Sequence, residues 1–158
     1  MFSKKIDTQL KKNIPDLPMI IGEASLRHDL DDLILLALPV QSFAVVDDIN
    51  TEAAFGNKIY SAVKGRFACE HITLADGVQA DDEAVNHIRK KTAKCDSIIA
   101  VGSGTINDLC KYAAHQDGKP YIVFPTAASM NGYLSANASI TIKNHKTTLS
   151  ASLPQAVF

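Results

Sequence analysis

The stretch Val101-Gly102-Ser103-Gly104-Thr105-Ile106-Asn107-Asp108 carries the strongest chemical signal in the sequence. An apolar run enters it, two glycines interrupt it, and helical spacing follows. Glycine lets a backbone approach a phosphate closely, and the amides at a helix N-terminus point at an anion placed there. Asn107 stands where the dinucleotide fingerprint G-x-G-x-x-G needs its third glycine, and no G-K-[ST] phosphate loop is present. Taken alone, the turn fits phosphate binding or a plain strand-to-helix connection.

Asp47-Asp48 close an apolar run, and carboxylates at the end of a strand accept hydrogen bonds from ribose hydroxyls. Acids also cap helix starts, and Asp48 is placed to cap a helix beginning near Thr51. Pro125-Thr126-Ala127-Ala128-Ser129-Met130-Asn131-Gly132-Tyr133 follows another apolar run. Its small and hydroxyl residues suit the rim of a ligand site or an ordinary polar loop. His28, His71, His87, His115 and His145 show neither HxxxH nor HExxH spacing, so they suggest no metal.

These residues need elements to hold them. Residues 18–21 read as a short strand and 25–38 as a helix, with Ser25 as N-cap and Pro39 beyond its end. A buried strand is expected at 42–46, then a helix at 51–64 stopped by Gly65. The cycle repeats with a strand at 71–74 and a helix at 81–94, which opens with acids and closes with bases, as the helix dipole favours. A strand at 97–101, a helix at 105–115 stopped by Gly118 and a strand at 121–124 follow. This alternation predicts an α/β, Rossmann-like parallel sheet with helices on both faces. Residues 126–137 read as a loop with a short helix, and 139–143 and 146–150 as a C-terminal β-hairpin turning at Asn144-His145.

With 158 residues the chain has the length of one domain, read as a nucleotide-binding domain over 1–158. Apolar residues make up 46% and charged residues 21%, which excludes disordered and fibrous classes. A net charge of -1 leaves no positive excess for nucleic acid or an anionic membrane. Cys69, Cys95 and Cys110 include no CxxC pair and suggest neither a disulfide framework nor a zinc site. No signal-peptide pattern or membrane-length apolar run is present, so a cytoplasmic location is expected.

In order, Gly102-Ser103-Gly104-Thr105-Ile106-Asn107-Asp108-Leu109, Lys111-Tyr112, Lys119-Pro120-Tyr121, Pro125-Thr126-Ala127-Ala128-Ser129-Met130, Gly132-Tyr133 and Ser135 resemble the sn-glycerol-1-phosphate dehydrogenase family. That family sits in a larger group with glycerol dehydrogenases, iron-containing alcohol dehydrogenases and dehydroquinate synthases. The resemblance runs from Ile20 onward and includes the later Leu153-Pro154-Gln155-Ala156-Val157. It implies a Rossmann-like domain that binds NAD or NADP, joined to a helical domain, with a divalent metal (usually zinc) and substrate in the cleft between them. Gly102, Ser103 and Gly104 would cradle the cofactor pyrophosphate, with Asp108 near that turn. Asp47 or Asp48 would meet the adenosine ribose, and Thr126 and Ser129 would contact the cofactor. Asn131 occupies the family's substrate-side Asp position. The family's metal ligands, one Asp and two His of the helical domain, have no counterpart in this sequence.

The implied reaction is reduction of dihydroxyacetone phosphate to sn-glycerol 1-phosphate. Relative to that family the chain is expected to be truncated at the C-terminus, without the helical metal-binding domain. The alternatives are therefore a truncated, catalytically inactive nucleotide-binding module and a glycerol dehydrogenase-like enzyme with another polyol substrate; Ser129-Met130-Asn131-Gly132-Tyr133 fits the dehydroquinate synthase branch poorly. The expected partners are a dinucleotide and a small phosphorylated polyol. Self-association is expected through an apolar edge exposed at 153–158.

Overall fold

A computed structural model describes residues 18–22 and 30–158. Among the described residues, six strands form one parallel sheet: β1 (Met19–Ile20), β2 (Ser42–Asp48), β3 (Ala68–Leu74), β4 (Ser97–Gly102), β5 (Tyr121–Pro125) and β8 (Ala156–Val157). They lie in the order β1-β8-β5-β4-β2-β3. Strands β6 (Asn137–Ile142) and β7 (His145–Ser150) pair antiparallel as a separate hairpin. The helices are α1 (Leu30–Ala37), α2 (Ile49–Thr51), α3 (Asn57–Lys64), α4 (Asp82–Lys91) and α5 (Gly104–Gln116). The α/β class, the parallel sheet and the added hairpin are those the sequence pattern predicts.

Strand β2 shows why its sequence is nearly all apolar. Residues 43–47 are buried, and successive side chains enter opposite cores. Phe43 and Val45 pack with Leu30, Ile34, Ile59 and Val63 of α1 and α3. Ala44 and Val46 pack with Val85, Ile88, Ile106 and Leu109 of α4 and α5. The sheet therefore carries helices on both faces, and the hairpin joins the α4–α5 layer through Ala138 and Ile140.

Several boundaries differ from expectation. The first helix is described from Leu30 only, and Ser25 lies outside the described residues. The helix expected from Thr51 begins at Ile49, because Asp48 caps it. Its Oδ1 accepts from the amides of Asn50 (3.0 Å) and Thr51 (2.8 Å), and its own amide donates to Thr51 Oγ1 at 3.0 Å. A π-helical turn, Glu52–Gly56, then joins α2 to α3. Gly65 ends α3 with an ordinary right-handed φ of -74°, whereas Gly118 after α5 has the left-handed φ of 63° that favours glycine. Helix α4 ends at Lys91, three residues early, where Cys95 N turns back to Thr92 O to enter β4.

The hairpin turns one residue earlier than expected. Lys143 (φ 48°) and Asn144 (φ 65°) are its central residues, since a two-residue turn of this hand needs positive φ at both. The expected exposed edge at 153–158 is also corrected. Ala156 is fully buried in a strand inside the sheet, and Phe158 stacks on Phe124 with centroids 4.4 Å apart. Among the described residues, no helix is long and apolar enough to cross a membrane.

Candidate functional site

The chain reverses its winding between β2 and β4. From β2 it proceeds outward to β3, then crosses back to β4 and continues the other way to β5 and β8. Open α/β sheets bind ligands at such a switch point, outside the carboxyl ends of the strands. Val46 pairs with Ala100 and Gly102 with Pro125, so Asp48, Gly102 and Pro125 end their strands on the same side of the sheet.

Gly102 closes β4. A Cβ there would lie 2.6 Å from the Ile106 Cβ, so only glycine lets the strand end press on the first turn of α5. Ser103 is the N-cap in extended conformation, yet its hydroxyl makes no capping bond. The first backbone bond back into the cap runs from Asn107 N to Ser103 O at 2.9 Å. The amides of the first turn are thus left without intrahelical acceptors, at the positive end of a 13-residue helix. That is the geometry of an anion site, and these residues fit a pyrophosphate.

The loop after β5 lies over this turn. Thr126 N donates to Gly102 O at 3.2 Å, and the Met130 methyl occupies the space beside Gly104, 2.4 Å from where a Cβ would stand. Thr126 is half-buried, and Ser129 and Asn131 are exposed. The buried Tyr133 hydroxyl donates to Ala127 O at 3.2 Å and lies 3.4 Å from Gly102 O. Gly102, Ser103, Gly104, Thr126 and the segment bearing Ser129 therefore meet at the carboxyl end of β4.

The acids separate. Asp48 is half-buried at the rim, with its carboxylate engaged in capping α2. Asp47 points into the protein with no exposure, and its Oδ2 lies 2.7 Å from His71 Nε2 while Oδ1 has no partner. Burial pushes the Asp47 carboxyl above the usual carboxylate range, against the opposing pull of His71. Tyr60 stacks on His71 with centroids 4.6 Å apart. Asp108 turns towards the hairpin: its Oδ2 accepts from Ser139 N at 3.1 Å, and Asn107 Nδ2 donates to its Oδ1 at 3.3 Å.

Lys111, which enters the resemblance without an assigned role, is fully buried and donates to Gly132 O at 2.7 Å and Asn137 O at 3.1 Å. Its signal was its place on the apolar stripe of α5 that also carries Asn107 and Ala114. Among the described residues, no group of three or more His, Cys, Asp and Glu is placed to hold a metal. No step through a metal is derived from them.

Known proteins resemble this chain in sequence and in fold. A glycerol-1-phosphate dehydrogenase [NAD(P)+] of Bacillus subtilis (strain 168) is 36% identical over 124 residues, covering 75% of this chain and 32% of that protein. The protein of the same name from Pyrococcus horikoshii is 39% identical over 108 residues, covering 68% of this chain and 31% of the relative. The chain spans about a third of the length of these curated relatives. Glycerol dehydrogenase from Schizosaccharomyces pombe superposes with a TM-score of 0.70 at 25% identity, over 84% of this chain and 35% of that one. A 2-deoxy-scyllo-inosose synthase, 16% identical with a TM-score of 0.70 over 84% of this chain and 41% of its own, shares the fold. The sequence profile of the iron-containing alcohol dehydrogenases matches residues 22–158, which include the glycine turn, the loop above it and the hairpin. The chain belongs to the iron-containing alcohol dehydrogenase family.

Proposed function

We propose that this chain forms the dinucleotide-binding portion of an NAD(P)-dependent dehydrogenase that interconverts dihydroxyacetone phosphate and sn-glycerol 1-phosphate. The observation that carries the reading is the uncapped N-terminus of α5 at the sheet's switch point, roofed by loop 126–131. The names of the Bacillus and Pyrococcus relatives support the substrate and cofactor classes.

In this reading the amides after Ser103 bind the pyrophosphate; Gly102 lets the end of β4 press on Ile106, and Gly104 leaves the space beside the turn that the Met130 methyl takes up. Asp48, at the rim of β2, faces the adenosine ribose; Asp47 is turned inward to His71. Thr126 and Ser129 orient the cofactor from above, and Asn131 lies on the substrate side of the same loop. The bound nicotinamide supplies hydride to a carbonyl carbon, while the protein supplies position and charge. The resemblance implies a divalent metal, usually zinc, that would act as a Lewis acid; no described residue of this chain is assigned to hold it. Asn131 offers no negative charge to a metal or to a substrate hydroxyl. Reduction of dihydroxyacetone phosphate by this chain alone is therefore not expected.

Calorimetry with the 158-residue chain tests the cofactor site. NADH should bind, and NADPH more weakly, because Asp48 repels the extra phosphate. Failure of both cofactors to bind would defeat the proposal, and preference for NADPH would remove Asp48 from the ribose site. Incubation with zinc, NADH and dihydroxyacetone phosphate tests the rest. NADH loss that a chelator abolishes would place a working metal site within these residues.

A further inference from the structure

Lys111 stands in the middle of α5 with no exposure. A lysine is almost never fully buried without partners, because an ammonium taken out of water is costly unless its protons are bonded. Here the bonds go to the carbonyls of Gly132 and Asn137, at 2.7 and 3.1 Å. Asp108 Oδ1 is 3.9 Å away, one turn earlier on the same helix. The carbonyls are therefore the ammonium's nearest partners, and burial holds the Lys111 ammonium below and the Asp108 carboxyl above their ordinary ranges.

Those two carbonyls flank the segment that joins the cofactor loop to β6. Between them sits Tyr133, whose hydroxyl reaches back to Ala127 O inside the loop. Just beyond them, Ser139 N is held by Asp108. Helix α5 thus carries the glycine turn at its N-terminus and, about two turns later, the fastening of the loop that covers that turn.

We infer that Lys111 is a positioning residue for the proposed dinucleotide site. Its buried ammonium fastens segment 132–137 to α5 and so holds Thr126, Ser129 and Met130 against the glycine turn. This inference rests on the proposed cofactor reading.

The test uses the full chain and Lys111→Met, which keeps a side chain of similar length and removes the donors. Hydrogen exchange is followed without ligand, and NADH binding by calorimetry. Amides of 126–137 should exchange about tenfold faster while those of β2 and β4 keep their protection. NADH affinity should fall about tenfold, in proportion to the fraction of molecules whose loop is in place. A loop as protected as in the native chain overturns the inference, and so does a loosened loop with unchanged NADH affinity. Where Lys111→Met also exposes β4 amides, Lys111→Gln decides, since its shorter amide keeps a polar donor but no ammonium for the two carbonyls. The same two changes at smaller size support the inference, and their absence overturns it. A native chain that binds no NADH overturns the cofactor reading itself. That failure is told apart because the loop exchange is read without ligand.

Discussion

Replacing Gly56 by alanine should destabilise the protein, and the same replacement should stabilise it once Asp47 is gone. Gly56 lies in the π-helical turn with right-handed φ and ψ of -55° and -47°, a conformation alanine adopts freely. On propensity alone the added methyl is worth about 1 kcal/mol. Its Cβ, however, would lie 1.9 Å from Asp47 Oδ2 and 2.9 Å from Asp47 Cγ. The carboxylate has no exposure and is tied to His71 at 2.7 Å, so it yields only by breaking that bond. Overpacking costs about 1–3 kcal/mol, and a lost bond to a charged group about 1.5–3 kcal/mol. The clash therefore wins, leaving Gly56→Ala about 2–4 kcal/mol less stable. In Asp47→Ala the obstacle is absent, and alanine at 56 should add about 0.5–1 kcal/mol. Urea unfolding of the four proteins, followed by far-UV circular dichroism, measures the cycle. An effect of Gly56→Ala with the same sign in both backgrounds would refute the packing argument.

Other outcomes follow from the site and its acids. Gly104→Ala meets only the flexible tip of Met130, so thermal unfolding should hardly move while calorimetry shows NADH binding weakened about tenfold by a methyl in the phosphate cradle. Gly102→Ala meets the Ile106 Cβ at 2.6 Å and should cost about 1–3 kcal/mol in a urea titration. The raised pKa of Asp47 means that the native state keeps its proton to higher pH than the unfolded chain. Its contribution is fully present below the ordinary value of 3.8 and is lost as pH rises through the folded pKa. Relative to the native chain, Asp47→Asn should therefore gain stability as pH rises through that window; a constant difference in urea midpoints would contradict the assignment. At the hairpin, Lys143→Asn with Asn144→Gly suits two left-handed positions and should add about 0.5–1 kcal/mol, read as a higher melting temperature.

The sheet and the glycine turn were legible because their causes are local. A strand buried on both faces must be apolar throughout, and the tight entry into α5 requires glycine at Gly102. The choice between Asp47 and Asp48 was not legible. Adjacent strand residues face opposite ways, and what receives Asp47 is His71, 24 positions along the sequence. Lys111 was hidden for the same reason. A helical lysine reads as solvent-facing, and its acceptors lie 21 and 26 positions downstream. The hairpin turn slipped by one residue because Asn144 tolerates left-handed backbone at either central position, so the pairing of Ile142 with His145 fixes the register.

The edge of the sheet at β1 has a consequence for how the protein assembles. Among the described residues, strand β1 pairs only with β8, with Met19 opposite Ala156 and Ile20 opposite Val157. Strands β2, β3, β4 and β5 need only segments that follow one another closely, and their pairing closes comparatively short loops. Joining β1 to β8 closes nearly the whole described sequence into one loop, which is the slow, long-range kind of contact. Met19 and Ile20 have no pairing partner in the sheet until Ala156 and Val157 have been made and seated beside β5. Among the described strands, the first in sequence finds its partner only in the last.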